Sequence, residues 1–205
     1  MYLSRLKLDI SKRKTMLAMA SPNLFHGAVE NSFPCSRKRN LWRIDTLRGV
    51  PYLLILSHER PDLREAACQF GFIAPDIDAE IKDYEPFLES IENNSRWHFR
   101  LTANPVKSLA NKSRGEIHAH ITNHYQKQWL LERSEKNGFL LREDEFDVVH
   151  SQWLSFPKGK NRVTIFSAVY EGALTVLEKD LFKNILTSGI GHGKAYGMGL
   201  MTIVH

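Results

Sequence analysis

The chain has 205 residues, of which 42% are hydrophobic and 25% are charged. This composition excludes a disordered or fibrous protein, and at roughly 150 residues per domain the length corresponds to one or two compact domains. Lysine and arginine exceed aspartate and glutamate by 28 to 23, so the net charge is +5. A basic balance of this kind favours a polyanionic partner such as nucleic acid.

Neither the cysteines nor the apolar runs indicate secretion or a membrane. Cys35 and Cys68 are too few for a disulfide framework and too far apart for a zinc knuckle, which fits a reducing compartment. Residues 1–10 lack the pattern of a signal peptide, and the longest apolar run, residues 50–56, is too short to span a bilayer. We therefore expect a cytoplasmic protein.

The first part of the chain mixes strand and helix patterns. The predicted elements are a strand over residues 2–10, a helix over 22–33, strands over 41–47 and 51–57, and a helix over 62–70. Ser21 and Pro22 suit the start of a helix, and Gly71 suits the end of one. This order needs one more strand beyond Ile73 to complete a ferredoxin-like βαββαβ unit.

Residues 75–94 are acidic, contain proline and are predicted to be a boundary region. After them we predict a strand over 97–103, a helix over 126–137, strand-rich segments over 139–153 and 162–176, a helix over 181–187, a glycine-rich loop over 189–199 and a strand over 200–204. The doubled pattern predicts an α+β protein with two tandem ferredoxin-like domains, residues 1–90 and 91–205.

A histidine lies on the predicted helix that follows Pro22. Helical spacing puts His26 at the edge of the apolar stripe, one turn before Glu30, where an imidazole can be partly exposed. A lone histidine in such a place is more often a border residue of the core than a catalytic group, so His26 alone is weak evidence.

Five glycines and one lysine occur in the loop that precedes the last strand. Glycines let a phosphate approach backbone N–H groups, and Lys194 adds a positive charge, so the loop is a candidate anion site with His192 beside Lys194. A turn that threads backbone close to its neighbours is an equally good interpretation. No Walker or dinucleotide-binding pattern is present, which argues against a nucleotide cofactor.

Basic residues recur around turns and aromatic residues in the second half of the chain. Each group alone fits a solvated surface, but their number favours contacts with nucleic-acid phosphates. The candidate contacts are Lys158, Lys160 and Arg162 on a predicted hairpin, Arg96, Arg100 and Lys107 near the domain junction, and Arg133 with Lys136 on the helix over 126–137.

Three histidines have a spacing that metal sites use. His118, His120 and His124 lack a nearby cysteine or carboxylate set, apart from Glu116, so we expect no metal site. The sequence His120-Ile121-Thr122 also fits one element of two-histidine phosphoesterases, but no second copy exists.

Several motifs resemble those of the CasE-type CRISPR precursor-RNA endoribonucleases. The motifs are MYLS at residues 1–4, His26 on its helix, FRLTANPVK at 99–107, YEGAL at 170–174 and GKAYGMGL at 193–200. They run from the first residue almost to the last, in the order and at the spacing of that family.

The resemblance implies two tandem ferredoxin-like domains of the RAMP type. It also implies that the protein binds the stem-loop of CRISPR repeat RNA, cuts precursor RNA once at the stem base without metal or cofactor, and remains on the guide RNA with other Cascade subunits.

The histidine of that family corresponds to His26. The tyrosine that some members carry one turn earlier is Asn23 here, a candidate neighbour of the active site. The usual proline before Gly-Lys is His192, and the common arginine before Ala-Asn-Pro is Thr102.

The chemistry needs few residues, because RNA carries its own nucleophile in the 2′-hydroxyl. One imidazole can act as general base toward that hydroxyl or as general acid toward the leaving 5′-oxygen, and the sequence leaves both roles open. The competing hypothesis is a non-catalytic subunit that only holds guide RNA, with His26 in a structural role.

Overall fold

The computed structural model describes residues 1–33, 39–109 and 116–205, which form two compact units. Unit 1 contains residues 1–89 together with two short later segments, 155–163 and 194–197. Unit 2 contains residues 90–154, 164–193 and 198–205. The division into domains of residues 1–90 and 91–205 stays a prediction.

Unit 1 is built on one four-stranded antiparallel sheet. Its elements are β1 (Tyr2–Lys7), α1 (Arg13–Ala20), α2 (Asn23–Asn31), β2 (Leu41–Leu47), β3 (Val50–Ser57), α3 (Arg64–Phe70), β4 (Ala79–Asp83) and α4 (Glu85–Glu89). The strand order is β2-β3-β1-β4, which is the order of a ferredoxin-like sheet. Arg48 and Gly49 both have positive φ, as a two-residue hairpin turn requires, so the predicted turn is confirmed.

Two parts of unit 1 differ from the sequence prediction. The strand that the fold order required beyond Ile73 is β4, which pairs with β1 from Tyr2↔Asp83 to Leu6↔Ala79, but it lies within residues 75–94, which were expected to be a boundary. A boundary was predicted because a short edge strand carries many charges. The helix α1 was not predicted because only Thr15 and Ala18 of its residues are buried, which leaves no apolar stripe to detect.

The core of unit 1 lies between the sheet and its helices. Three rings form its centre, since the Phe25 centroid lies 6.0 Å from that of Trp42 and 4.9 Å from that of Phe70. Phe25 and Trp42 are at most 1% exposed, and tilted aromatic pairs at these distances are favourable. This packing fixes the orientation of α2, and so of the residue after Phe25.

Unit 2 repeats the ferredoxin-like order of strands and helices, with longer connections between them. Its elements are β5 (Arg96–Ala103), β6 (Val106–Leu109), β7 (Glu116–Ala119), α5 (Asn123–Ser134) with a 3-10 turn (Glu135–Asn137), β8 (Phe139–Leu140), β9 (Phe146–Lys158), β10 (Asn161–Val176), α6 (Lys179–Ser188), a 3-10 helix (Lys194–Tyr196) and β11 (Met201–Val204). The sheet order is β11-β5-β10-β8, and β9 pairs with β10. The tip of the β9–β10 hairpin and the 3-10 helix at 194–196 belong to unit 1 by their contacts.

The α+β class with two ferredoxin-like domains is therefore confirmed. None of the helices in the described part of the chain is long and apolar enough to cross a membrane.

Candidate functional site

His26 lies on α2 with its side chain at the rim of the unit 1 core. The helix buries Phe25, Ala28 and Val29, which leaves the His26 side chain 38% exposed. Its Nδ1 atom lies 3.9 Å from Oε1 of Glu30, one turn later. The helix thus anchors the imidazole, and the Glu30 carboxylate orients it weakly. The partial exposure agrees with the helical spacing and leaves the ring open to a ligand.

Asn23 begins α2, one turn before His26. Its Oδ1 atom is buried, and no described residue donates a hydrogen bond to it. A buried oxygen without a partner costs free energy unless water or a ligand satisfies it. Asn23 is therefore a second polar group on α2 that a ligand or water can satisfy.

The glycine-rich segment contributes a short ordered helix to unit 1. The 3-10 helix at 194–196 lies beside α2 and β2. Gly197 follows it with φ of +79°, and a Cβ atom there would stand 2.8 Å from the ring of Trp42. Gly197 therefore permits both the left-handed turn and the close approach to β2. Of the two interpretations of this loop, close backbone packing is observed directly, and it brings Lys194 near α2.

The Lys194 ammonium lies in a cationic environment. Partial burial lowers its pKa, and the nearby positive charge of Arg39 lowers it further. Within the described ranges, no carboxylate forms an ion pair with Lys194. A partly buried lysine that lacks a carboxylate partner and has a second positive charge nearby favours the binding of a phosphate group.

Arg39 was missed by the sequence analysis. It is exposed and lies two residues before the start of β2. The signal was the basic run Arg37-Lys38-Arg39, but nothing in the sequence ties that run to a loop 155 residues later. Arg37 and Lys38 lie outside the described residues.

Tyr196 joins the same short helix to the basic hairpin tip in unit 1. Lys158 Nζ donates a hydrogen bond of 3.2 Å to the Tyr196 hydroxyl, and the Tyr196 ring meets Phe156 edge-on with centroids 5.1 Å apart. Arg162 Nε donates to Ser155 Oγ at 2.7 Å, and Lys160 is exposed in the turn. The hairpin tip, Lys194 and α2 thus belong to one unit.

The other predicted RNA contacts lie in unit 2. Some of them form ion pairs within the protein, and others are exposed. Arg96 is paired with Glu145 at 3.0 Å, and Arg100 is paired with Glu171. Their positive charge is therefore partly neutralised within the protein. Lys107 and His192 are exposed, and His192 forms a β-bridge with Asn104.

Arg133 is held against an aromatic ring of unit 2. Its guanidinium carbon lies 4.4 Å from the centroid of Trp129, and its Nη1 atom donates to the Trp129 carbonyl at 2.8 Å. Burial lowers the pKa of Arg133, although arginine keeps its charge at neutral pH. Lys136 follows in the 3-10 turn after α5.

The three spaced histidines lie around β7 and the start of α5. His118 is on β7, His120 follows it, and His124 is the second residue of α5. In residues 1–33, 39–109 and 116–205, no group of three or more His, Cys, Asp or Glu side chains is placed to hold a metal ion.

Comparison with known proteins gives a family match over the full length. The model of a family described as CRISPR associated protein matches residues 1–205. CRISPR-associated endoribonuclease Cse3 of Thermus thermophilus is 28% identical over 219 residues, which cover 99% of both chains.

Solved structures extend this match to the fold. Thermus thermophilus Cse3 bound to an RNA representing a pre-cleavage complex has a TM-score of 0.85 and 26% identity, with 100% of this chain and 98% of that chain covered. The CRISPR-associated protein Cas6e from Escherichia coli has a TM-score of 0.63 and 20% identity, with 99% and 98% covered, and shows the shared fold.

Proposed function

The chain belongs to the family of CRISPR-associated proteins, and from this premise we propose that it is an endoribonuclease of CRISPR repeat RNA. It binds the stem-loop of the repeat and cleaves the precursor transcript at the base of the stem. The observation that carries the proposal is the half-exposed His26 on α2, in the same unit as Lys194 and the basic hairpin tip. The relative Cse3, which spans the full chain, is itself named an endoribonuclease.

The cleavage step uses the RNA as its own nucleophile. The 2′-oxygen attacks the adjacent phosphorus, its proton leaves to a base, and the bond from phosphorus to the 5′-oxygen breaks as that oxygen takes up a proton. The products are a 2′,3′-cyclic phosphate upstream and a 5′-hydroxyl downstream. His26 moves one of these protons, and no metal ion is needed, because the imidazole and the surrounding cations supply proton transfer and charge stabilisation.

The cations of unit 1 bind the phosphates. Lys194 suits the phosphate at the cut, because its short helix lies beside the helix that carries His26, and the positive charge of Arg39 acts on the same ammonium. Lys158, Lys160 and Arg162 suit the backbone of the stem, because an A-form stem is read mainly through its shape and phosphates. In unit 2, we propose further contacts by Lys107, Arg133 and His192, with Arg96 and Arg100 in supporting positions.

The product remains with the protein. We propose that the mature guide RNA stays bound through its stem-loop and that other Cascade subunits assemble on it in the cytoplasm. The relative Cse3 has been solved in complex with an RNA representing a pre-cleavage complex, which supports stable binding of RNA by this fold.

The experiment that tests this function uses labelled repeat hairpin RNA in the presence of EDTA. We expect a single cut at the base of the stem, with a cyclic phosphate on the upstream fragment. RNA with a 2′-hydrogen at the nucleotide before the cut should bind equally well and stay intact. Cleavage of that deoxy substrate would refute the mechanism, and binding of the cognate repeat without cleavage would favour the guide-holding subunit.

Replacing Lys194 with methionine tests the phosphate site. Methionine keeps the apolar length of the side chain and removes one charge, so RNA affinity should fall and the slope of log affinity against log salt should decrease by about 1. Lys183→Met on α6 is the control, because Lys183 has no proposed RNA contact. An unchanged salt slope for Lys194→Met would remove Lys194 from the interface.

A further inference from the structure

We propose that unit 2 carries a second RNA site, an aromatic platform formed by His120, His124 and Tyr125, on which unpaired nucleotides of the substrate stack. This inference deepens the proposed function, because it assigns a contact to the RNA outside the stem. None of the motifs that indicated the function includes these three residues.

The three rings are close together, with His124 and Tyr125 exposed and His120 partly exposed. The Tyr125 centroid lies 5.9 Å from that of His120, at an interplanar angle of 32°, and 5.3 Å from that of His124, at 60°. Tyr125 is 57% exposed. The platform thus presents an aromatic surface that the described residues leave open to solvent.

The platform is held in place by the helix behind it. Tyr125, Trp129 and Arg133 follow one another at four-residue spacing along α5, so they lie in one row. Trp129 anchors the row, because it is buried and its ring stacks on Tyr170 with centroids 6.2 Å apart. Because Trp129 holds the row in place, the exposed Tyr125 ring is already positioned to bind a ligand.

The charges around the platform favour a polyanion. Lys107 on β6 is exposed and pairs in register with His118 on β7, two residues before His120. Burial lowers the pKa of His120, Lys107 and Arg133 lower it further, and Glu132 opposes them. The lowered pKa of His120 favours the neutral ring, which can stack, and the positive charges of Lys107 and Arg133 act on the same imidazole.

These properties select unpaired RNA over other occupants. Bases in a stem are already stacked and paired, whereas bases in a single-stranded flank expose their faces to aromatic side chains. Exposed aromatic rings in a positively charged environment bind single strands with little sequence preference. A repeat hairpin in a precursor transcript has such a strand on each side of its stem.

The test compares two RNAs with the full-length protein. One is the bare repeat hairpin, and the other is the same hairpin with its natural single-stranded flanks, both with the 2′-deoxy block so that only binding is measured. We expect the flanked RNA to bind more tightly, and Tyr125→Ala to lower its affinity by about tenfold. Affinity for the bare hairpin should stay the same.

Two further variants make the result specific to the ring. Tyr125→Phe keeps the aromatic face and should bind both RNAs as the unmodified protein does. Leu181→Ala removes a side chain of similar exposure on α6, 48%, and should also change neither affinity. Equal binding of both RNAs by the unmodified protein, or an equal loss on both RNAs for Tyr125→Ala, would overturn the platform.

The result is separable from that of the proposed function. Failure of the function appears as an absence of hairpin binding or of cleavage of unblocked RNA. Failure of the platform appears only in the difference between flanked and bare hairpins. Tyr125-dependent binding of flanked RNA by a protein that does not cleave would still support the platform.

Discussion

Replacement of His26 by alanine is expected to lower the rate of repeat RNA cleavage by about 10²- to 10⁴-fold, the usual contribution of a positioned proton-transfer group. RNA affinity should change little, because the phosphate contacts are assigned to lysine and arginine side chains and not to His26. The fold should persist, since Phe25 and Val29, and not His26, anchor α2 in the core. Single-turnover cleavage and equilibrium binding, measured on the same hairpin, separate the two effects.

His58→Ala provides a matched control, because His58 is an exposed histidine of unit 1 to which we assign no role. Its cleavage rate should equal that of the unmodified protein. A His26→Ala protein that still cleaves at the original rate would return His26 to the border of the core. A parallel loss of affinity and rate would make it a binding residue and not a catalytic one.

Elements with a strong local signal were predicted well from the sequence. The β2–β3 hairpin combines alternating apolar residues with a turn at Arg48 and Gly49, and the helix that ends at Gly71 has its stop signal in place. Local patterns of this kind report directly on the backbone, so tertiary context did not alter them.

Of the elements stabilised by long-range contacts, α1 was missed, and β4 was expected from the fold order but not located in the sequence. Residues 13–20 form α1 although only two of their side chains are buried, and Thr15 Oγ1 donates to the carbonyl of Phe70, 55 residues later. The strand β4 is fixed by its pairing with β1. Neither interaction leaves a periodic trace in the local sequence.

Some features of the candidate site could likewise be predicted from the local sequence, and others could not. His26 at the edge of its helix follows from helical spacing, and the hairpin tip at 158–162 follows from its turn residues. The electrostatic interaction of Lys194 with Arg39 and the hydrogen bond from Lys158 to Tyr196 join segments far apart in the chain. Those interactions arise only once the segments of unit 1 fold together.

A buried ion pair in β2 was also beyond local prediction. Arg43 and Asp45 are two residues apart on one face of the strand, and they are 1% and 5% exposed. The pair is bidentate, since Arg43 Nε donates to Oδ1 at 2.9 Å and Nη2 donates to Oδ2 at 2.6 Å. A residue that usually lies at the surface is thus held inside by its partner.

Replacement of Arg43 by methionine is expected to lower the free energy of unfolding by about 3 to 5 kcal/mol, because it leaves the Asp45 carboxylate buried without its guanidinium. Methionine matches the apolar part of the arginine side chain, so the loss reports on charge and not on volume. Urea denaturation, followed by tryptophan fluorescence, measures the change.

The double variant Arg43→Met with Asp45→Leu removes both charges and should recover a large part of that loss. The recovery follows because the cost of desolvating two ions disappears along with their attraction. Asp144→Leu, at an exposed carboxylate in unit 2, is the control and should leave stability nearly unchanged in either background. The double variant could instead lose as much free energy of unfolding as the two single variants together. The pair would then not act as a unit, and the burial of Arg43 would depend on contacts other than Asp45.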